Sequence, residues 1–134
     1  MSTNASKSEN VITTRTTKCW LDDDGILHAA HFPRAAEVLA DAKANIAACR
    51  ELAGGKKRPV CVDFRGACSQ ERGARAFYAG PEASEVLSAA ALVIGSHLTR
   101  MIANFYMGLN KPPYPMRLFT SEAEAIAWLS GFRS

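Results

Sequence analysis

The chain has 134 residues, 16 Lys and Arg against 13 Asp and Glu for a net charge of +3, and is 48% hydrophobic and 22% charged. That length fits one domain able to bury a core, and the near-average composition excludes a disordered or fibrous chain. A charge of +3 is too small to point to nucleic acid, and no apolar run approaches the ~20 residues that span a bilayer.

The opening MSTNASKSEN is polar and lacks the apolar core of a signal peptide. Residues 1–12 are therefore expected to be a disordered tail, and 13–134 a single cytoplasmic domain. Thr14 to Leu21 reads as a strand, Asp22-Asp23-Asp24-Gly25 as a turn with Gly25 at positive φ, and Ile26 to Phe32 as the returning strand of a hairpin. From Arg34 to Leu52 the apolar residues Ala35, Leu39, Ala42, Ile46 and Cys49 recur at spacings of three and four, the stripe of a helix that Gly54-Gly55 ends. Val60 to Phe64 is an apolar, β-branched run suited to a central strand covered on both faces.

After Gly66, Ser69 to Tyr78 is expected to be helical with Ser69 as N-cap, and Pro81 opens a short helix over 82–88. Ala89 to Ile94 is a second apolar strand. Ser96 then caps a helix over 97–109 whose stripe is Leu98, Met101, Ile102, Phe105 and Leu109. A Pro-rich loop leads to a strand at Met116–Phe119, and Ser121 with Glu124 has the spacing of a capping box opening the last helix, packed through Ala125, Trp128 and Leu129. The fold class is α/β: about five strands, mostly parallel, with an N-terminal antiparallel hairpin and four or five flanking helices. The two apolar strands at 60–64 and 89–94 are expected side by side and parallel in its middle.

That element order, with Val60-Cys61-Val62-Asp63-Phe64-Arg65-Gly66 as third strand and turn, resembles the STAS domain of anti-sigma-factor antagonists. The Gly108–Pro112 loop, Leu118-Phe119-Thr120 and the run Ala125 to Leu129 are similar to small uncharacterised bacterial proteins of that fold. The resemblance implies no catalysis and docking to another protein through the third-strand end and the helix after it. It also implies a phosphorylatable Ser in the first turn of that helix. Aligning Asp63 and Gly66 with the family's Asp and Gly puts Glu71 and Arg72 at its Asp-Ser pair, so the phosphoacceptor hydroxyl is missing.

Ligands of open α/β sheets bind beyond the carboxyl ends of the strands. Arg65, Ser69, Arg72, Arg75, Ser96 and Arg100 fall there, and guanidinium forks with helix-start amides favour anions. These six form the candidate interaction or anion-binding set. The competing reading is a small-molecule sensor or enzyme holding an anionic ligand in that crevice. Cys68, at a helix start near arginines, is the candidate reactive thiol, with His97 as the base it would need. Cys19, Cys49, Cys61 and Cys68 form no C-x-x-C pair and read as small buried hydrophobes rather than a disulfide or zinc framework. His28 and His31, three apart on a strand, point to opposite faces, which argues against a shared metal. No cofactor and no metal are expected, and the partner is another protein or a second copy in a homodimer.

Overall fold

The computed structural model describes residues 10–66, 69–95 and 112–133. Its strands are β1 (Val11–Thr13), β2 (Thr17–Leu21), β3 (Leu27–His31), β4 (Ala36–Glu37), β5 (Arg58–Asp63), β6 (Ser69–Gln70), β7 (Leu87–Val93) and β8 (Met116–Phe119). The α-helices among the described residues are α1 (Leu39–Ala53), α2 (Arg72–Tyr78), α3 (Pro81–Ser84) and α4 (Glu122–Leu129), with a 3-10 turn at Ser130–Phe132. Six strands form one sheet in the order β1-β2-β3-β5-β7-β8, and β4 with β6 makes a separate two-stranded ribbon. The pairs β1–β2 and β2–β3 are antiparallel. The pairs β3–β5, β5–β7 and β7–β8 are parallel. The two apolar strands thus lie side by side and point the same way, with Val60 opposite Ala90 and Val62 opposite Leu92.

The alternation of side chains sends each strand's residues to two cores. On one face, Cys19, Leu27, Val60, Leu87 and Ala90 pack with Ile46, Cys49 and Ala53 of α1. On the other, Cys61, Ala89, Ala91 and Val93 pack with Ala125 and Leu129 of α4. The run of alanines in β7 lets both helical layers approach closely. Gly25 closes the hairpin at φ +83°, as the D-D-D-G signal requires. Ser121 Oγ accepts the Glu124 amide at 3.3 Å, satisfying one free donor at the start of α4.

Several boundaries differ from the sequence reading. Val11 and Ile12, expected in the tail, pair with Trp20 and Cys19 as the edge strand β1, so there are six strands in the main sheet rather than about five. The first helix starts at Leu39, not Arg34, because Ala36 and Glu37 are drawn off to pair with Ser69 and Gln70. Ser69 is accordingly a ribbon residue and not an N-cap; Glu71 occupies the N-cap of α2. The helix expected over 82–88 stops at Ser84, and Leu87 already belongs to β7. The helix expected over 97–109 lies outside the described residues.

Candidate functional site at the carboxyl edge of the sheet

β3 and β5 end side by side at His31 and Asp63, and the chain segments that leave them are joined by the β4–β6 ribbon. Under the ribbon lies a buried polar cluster centred on Glu37. Thr16 Oγ1 donates to Glu37 Oε2 at 2.7 Å, as does Asn45 Nδ2 at 2.7 Å. Gln70 Nε2 donates to Oε1 at 3.0 Å, and the Tyr78 hydroxyl reaches both oxygens at 3.2 Å. His31 Nε2 completes the ring at 3.0 Å from Oε2. Burial pushes the Glu37 carboxyl up, but the hydrogen bonds from His31, Gln70 and Thr16 outweigh it and hold its pKa below the usual value. A buried carboxylate with this many donors stays ionised, since each bond favours the charged form. The His31 ring is further fixed by stacking on Phe64 at 4.2 Å and by Nδ1 lying 3.3 Å from the Asp63 carbonyl oxygen.

The same edge organises the start of α1. Asp41 Oδ2 accepts the Val38 amide at 2.9 Å, while Arg15 Nε donates to Asp41 Oδ1 at 2.8 Å. Arg15, through that hydrogen bond, lowers the Asp41 pKa against the opposing effect of burial. Glu71 Oε1 accepts the Leu39 amide at 3.1 Å, so a residue of the α2 N-cap serves the free N-terminal donors of α1. These bonds hold Val38 and Leu39 outward. Phe32, Val38 and Leu39 are the large hydrophobics exposed among the described residues, at 36%, 42% and 38%, and all three lie on the segment leaving β3. Between them Arg34 sits at φ +61°, a left-handed conformation costly for a residue with a Cβ, and its amide bonds the Gly66 carbonyl at 2.6 Å. Gly66 permits that approach, for a Cβ there would lie 3.3 Å from Pro33 Cα.

Of the arginines singled out in the sequence, Arg65 forks onto Asp63, with Nε to Oδ1 at 2.9 Å and Nη2 to Oδ2 at 2.8 Å, and reaches Glu122 at 3.4 Å. The Arg65 guanidinium holds Asp63 below the usual carboxylate range. Arg75 Nη1 donates to the Gln70 carbonyl at 2.8 Å. Arg72 opens α2 and is exposed, as is Ser69. Cys68, Ser96, His97 and Arg100 lie outside the described residues. The structure therefore brings Ser69 and Arg72 beside the apolar segment and turns Arg65 and Arg75 toward acceptors of the chain itself. His28 and His31 do face opposite ways: His28 stacks on Trp20 at 4.8 Å and bonds Asp22 at 2.8 Å, whereas His31 turns to Glu37. The Glu37 cluster was not legible in the sequence, where Glu37 carried no motif; its only trace was a charged residue inside a segment read as amphipathic helix.

An antiparallel hairpin running into a parallel β-α-β sheet, with the next helix starting beside the third strand's end, defines the class: a STAS-like α/β domain of SpoIIAA-like fold. A solved structure of an uncharacterized DUF3478-family protein with a SpoIIAA-like fold from Shewanella loihica PV-4 matches 89% of this chain and 90% of its own, with TM-score 0.55 and 15% identity. The chain belongs to the family described as Domain of unknown function (DUF7793), whose model matches residues 19–133. A protein with unknown function from Arthrobacter sp. FB24 is 35% identical over 88% of this chain and 95% of its own, with TM-score 0.35. No curated protein matches the chain. No helix among the described residues is long and apolar enough to cross a membrane.

Proposed function

We propose that this chain is a non-catalytic protein-interaction module, of the regulatory kind the STAS resemblance implies, that docks through the segment Phe32–Leu39 and the adjoining start of α2. The observation that carries this reading is the exposure of Phe32, Val38 and Leu39 along the one segment that joins β3 to α1, which also carries the exposed Arg34, with the exposed Arg72 at the start of α2. An apolar cluster rimmed by charge is the composition of a docking surface. The matching partner is a protein presenting apolar side chains flanked by carboxylates. The engagement of Arg65 by Asp63 and Glu122 favours this partner over a small anionic ligand, which would have to displace an existing fork.

The test is a comparison of wild type with the Val38→Asp/Leu39→Asp double variant as immobilised bait, with circular dichroism confirming that both are folded. A saturable protein partner lost with the double variant and weakened by salt supports the reading. Retention of that partner by the double variant overturns it. A thermal-shift response to phosphorylated metabolites that Arg72→Ala removes also overturns it, since binding stabilises by RT ln(1 + [L]/Kd).

A further inference from the structure

Between the sheet and α1 lies a cavity of about 50 Å³. One water needs roughly 10–15 Å³ of such space, so the chamber suits a molecule of about three to five heavy atoms. Most of its wall is apolar, with Ala29, Val60, Ala90 and Leu92 from the strands and Ile46 and Cys49 from α1. His31, Asn45, Gln70 and Tyr78 line it too. All four touch the Glu37 carboxylate, so they make up one polar end. An apolar chamber whose polar groups converge at one place has the make-up of a small-molecule site.

Most of the polar groups in the wall are already engaged. Thr17 Oγ1 donates to Asn45 Oδ1 at 3.0 Å, and the Tyr114 hydroxyl donates to the Tyr78 carbonyl at 2.6 Å. Asn45 Nδ2 and Gln70 Nε2 donate to Glu37. Among the described wall residues, the buried side-chain atom without a well-formed hydrogen bond is His31 Nε2, which lies 3.0 Å from Glu37 Oε2 but out of line with it. We propose that the cavity is a binding site for a short neutral alcohol, its chain among the apolar wall residues and its hydroxyl on His31 Nε2. The site is independent of the docking surface proposed above. A hydroxyl both donates and accepts, so it serves that nitrogen in either tautomer. A carboxylate or phosphate head would face the ionised Glu37 across a low-dielectric wall, which repels it. An ammonium head brings three donors and gives up its water shell in an apolar chamber.

The full-length chain, isotope-labelled at methyl groups and histidine ring nitrogens, is titrated with n-propanol and followed by NMR. The methyl signals of Ile46, Val60, Val62 and Leu92, in the cavity wall, should shift and saturate, with half-saturation at about 0.1–10 mM. The His31 ring nitrogens should move on the same curve, while Ile26, Val93 and Leu129, on the α4 face, stay still. Propionate and propylamine should bind at least roughly tenfold more weakly. Ala90→Leu, which puts a larger side chain into the chamber, should abolish the saturable shift in a protein whose circular dichroism stays native. Drift without saturation, a silent His31, propionate binding as tight as that of the alcohol, or an unchanged response in folded Ala90→Leu each overturns the proposal. Where Ala90→Leu does not fold, the wild-type saturation and the propionate comparison decide.

Discussion

Glu37→Ala removes a fully buried carboxylate that collects donors from Thr16, Asn45, Gln70 and Tyr78 and pairs with His31. Leaving a buried donor without its acceptor costs about 1–3 kcal/mol, and Thr16 and Gln70 both lose the carboxylate they donate to. Each further donor left without an acceptor would add ~1–3 kcal/mol. Those costs do not sum, since Asn45 Nδ2 already lies 3.2 Å from Thr16 Oγ1 and 2.9 Å from the Tyr78 hydroxyl and can shift its bonding there. The net expectation is therefore about 3–5 kcal/mol, the cost of roughly two stranded donors and a large share of the ~5–15 kcal/mol by which a domain is stable. Urea unfolding followed by the fluorescence of Trp20 and Trp128 measures it. With a slope of about 1–3 kcal/mol per molar, the midpoint should fall by about 2 M at unchanged slope. Glu37→Gln keeps one acceptor oxygen and should lose less. Because the folded-state pKa of Glu37 is lowered, its contribution is fully present above the unfolded carboxyl value and drains away as the pH falls through the folded value. The gap between wild type and Glu37→Gln should accordingly narrow on acidification. A Glu37→Ala protein within about 1 kcal/mol of wild type would refute this account, because several buried donors cannot lose their acceptor so cheaply.

Asp41→Asn should weaken the first turn of α1 by about 0.5–2 kcal/mol, seen as faster amide exchange at Ala42 and Lys43 while α4 is unaffected. Since Arg15 holds the Asp41 pKa low, that difference too should be present at neutral pH and fade in acid. Gly25→Ala puts a side chain at φ +83° with its Cβ 3.2 Å from Arg58 Nη1. It should lower stability by about 1–2 kcal/mol, and an unchanged melting temperature would show that the hairpin turn relaxes.

How much was legible follows from how far each signal reaches along the chain. Val60–Phe64 and Ala89–Ile94 are runs whose composition alone suits a doubly covered strand, so their central parallel pairing could be read before any coordinates. The D-D-D-G turn and the Ser121–Glu124 cap are local chemistry, complete within four residues. The β4–β6 ribbon was invisible because two-residue strands have no period, and Ala36 and Glu37 extend only because Ser69 and Gln70 lie beside them. The arginines beyond the strands were legible as a basic set; that Arg65 faces Asp63 and Glu122 depends on where β5 and α4 meet.

The sequence by itself determined the α/β class, the hairpin, the parallel centre, the buried face of α4 and the Ala42, Ile46 and Cys49 part of the α1 face. Ala35 of the expected stripe lies before the helix, and Leu39 is exposed. What was legible rests on periodicity and turn chemistry between near neighbours. Only the tertiary structure decided that Glu37 is the hub of a buried cluster and that Phe32, Val38 and Leu39 are left outside. The partners of Glu37 come from Thr16, Asn45, Gln70 and Tyr78 on separate elements. Which side chains lose water is settled when those elements close together, and no short window of residues carries that information.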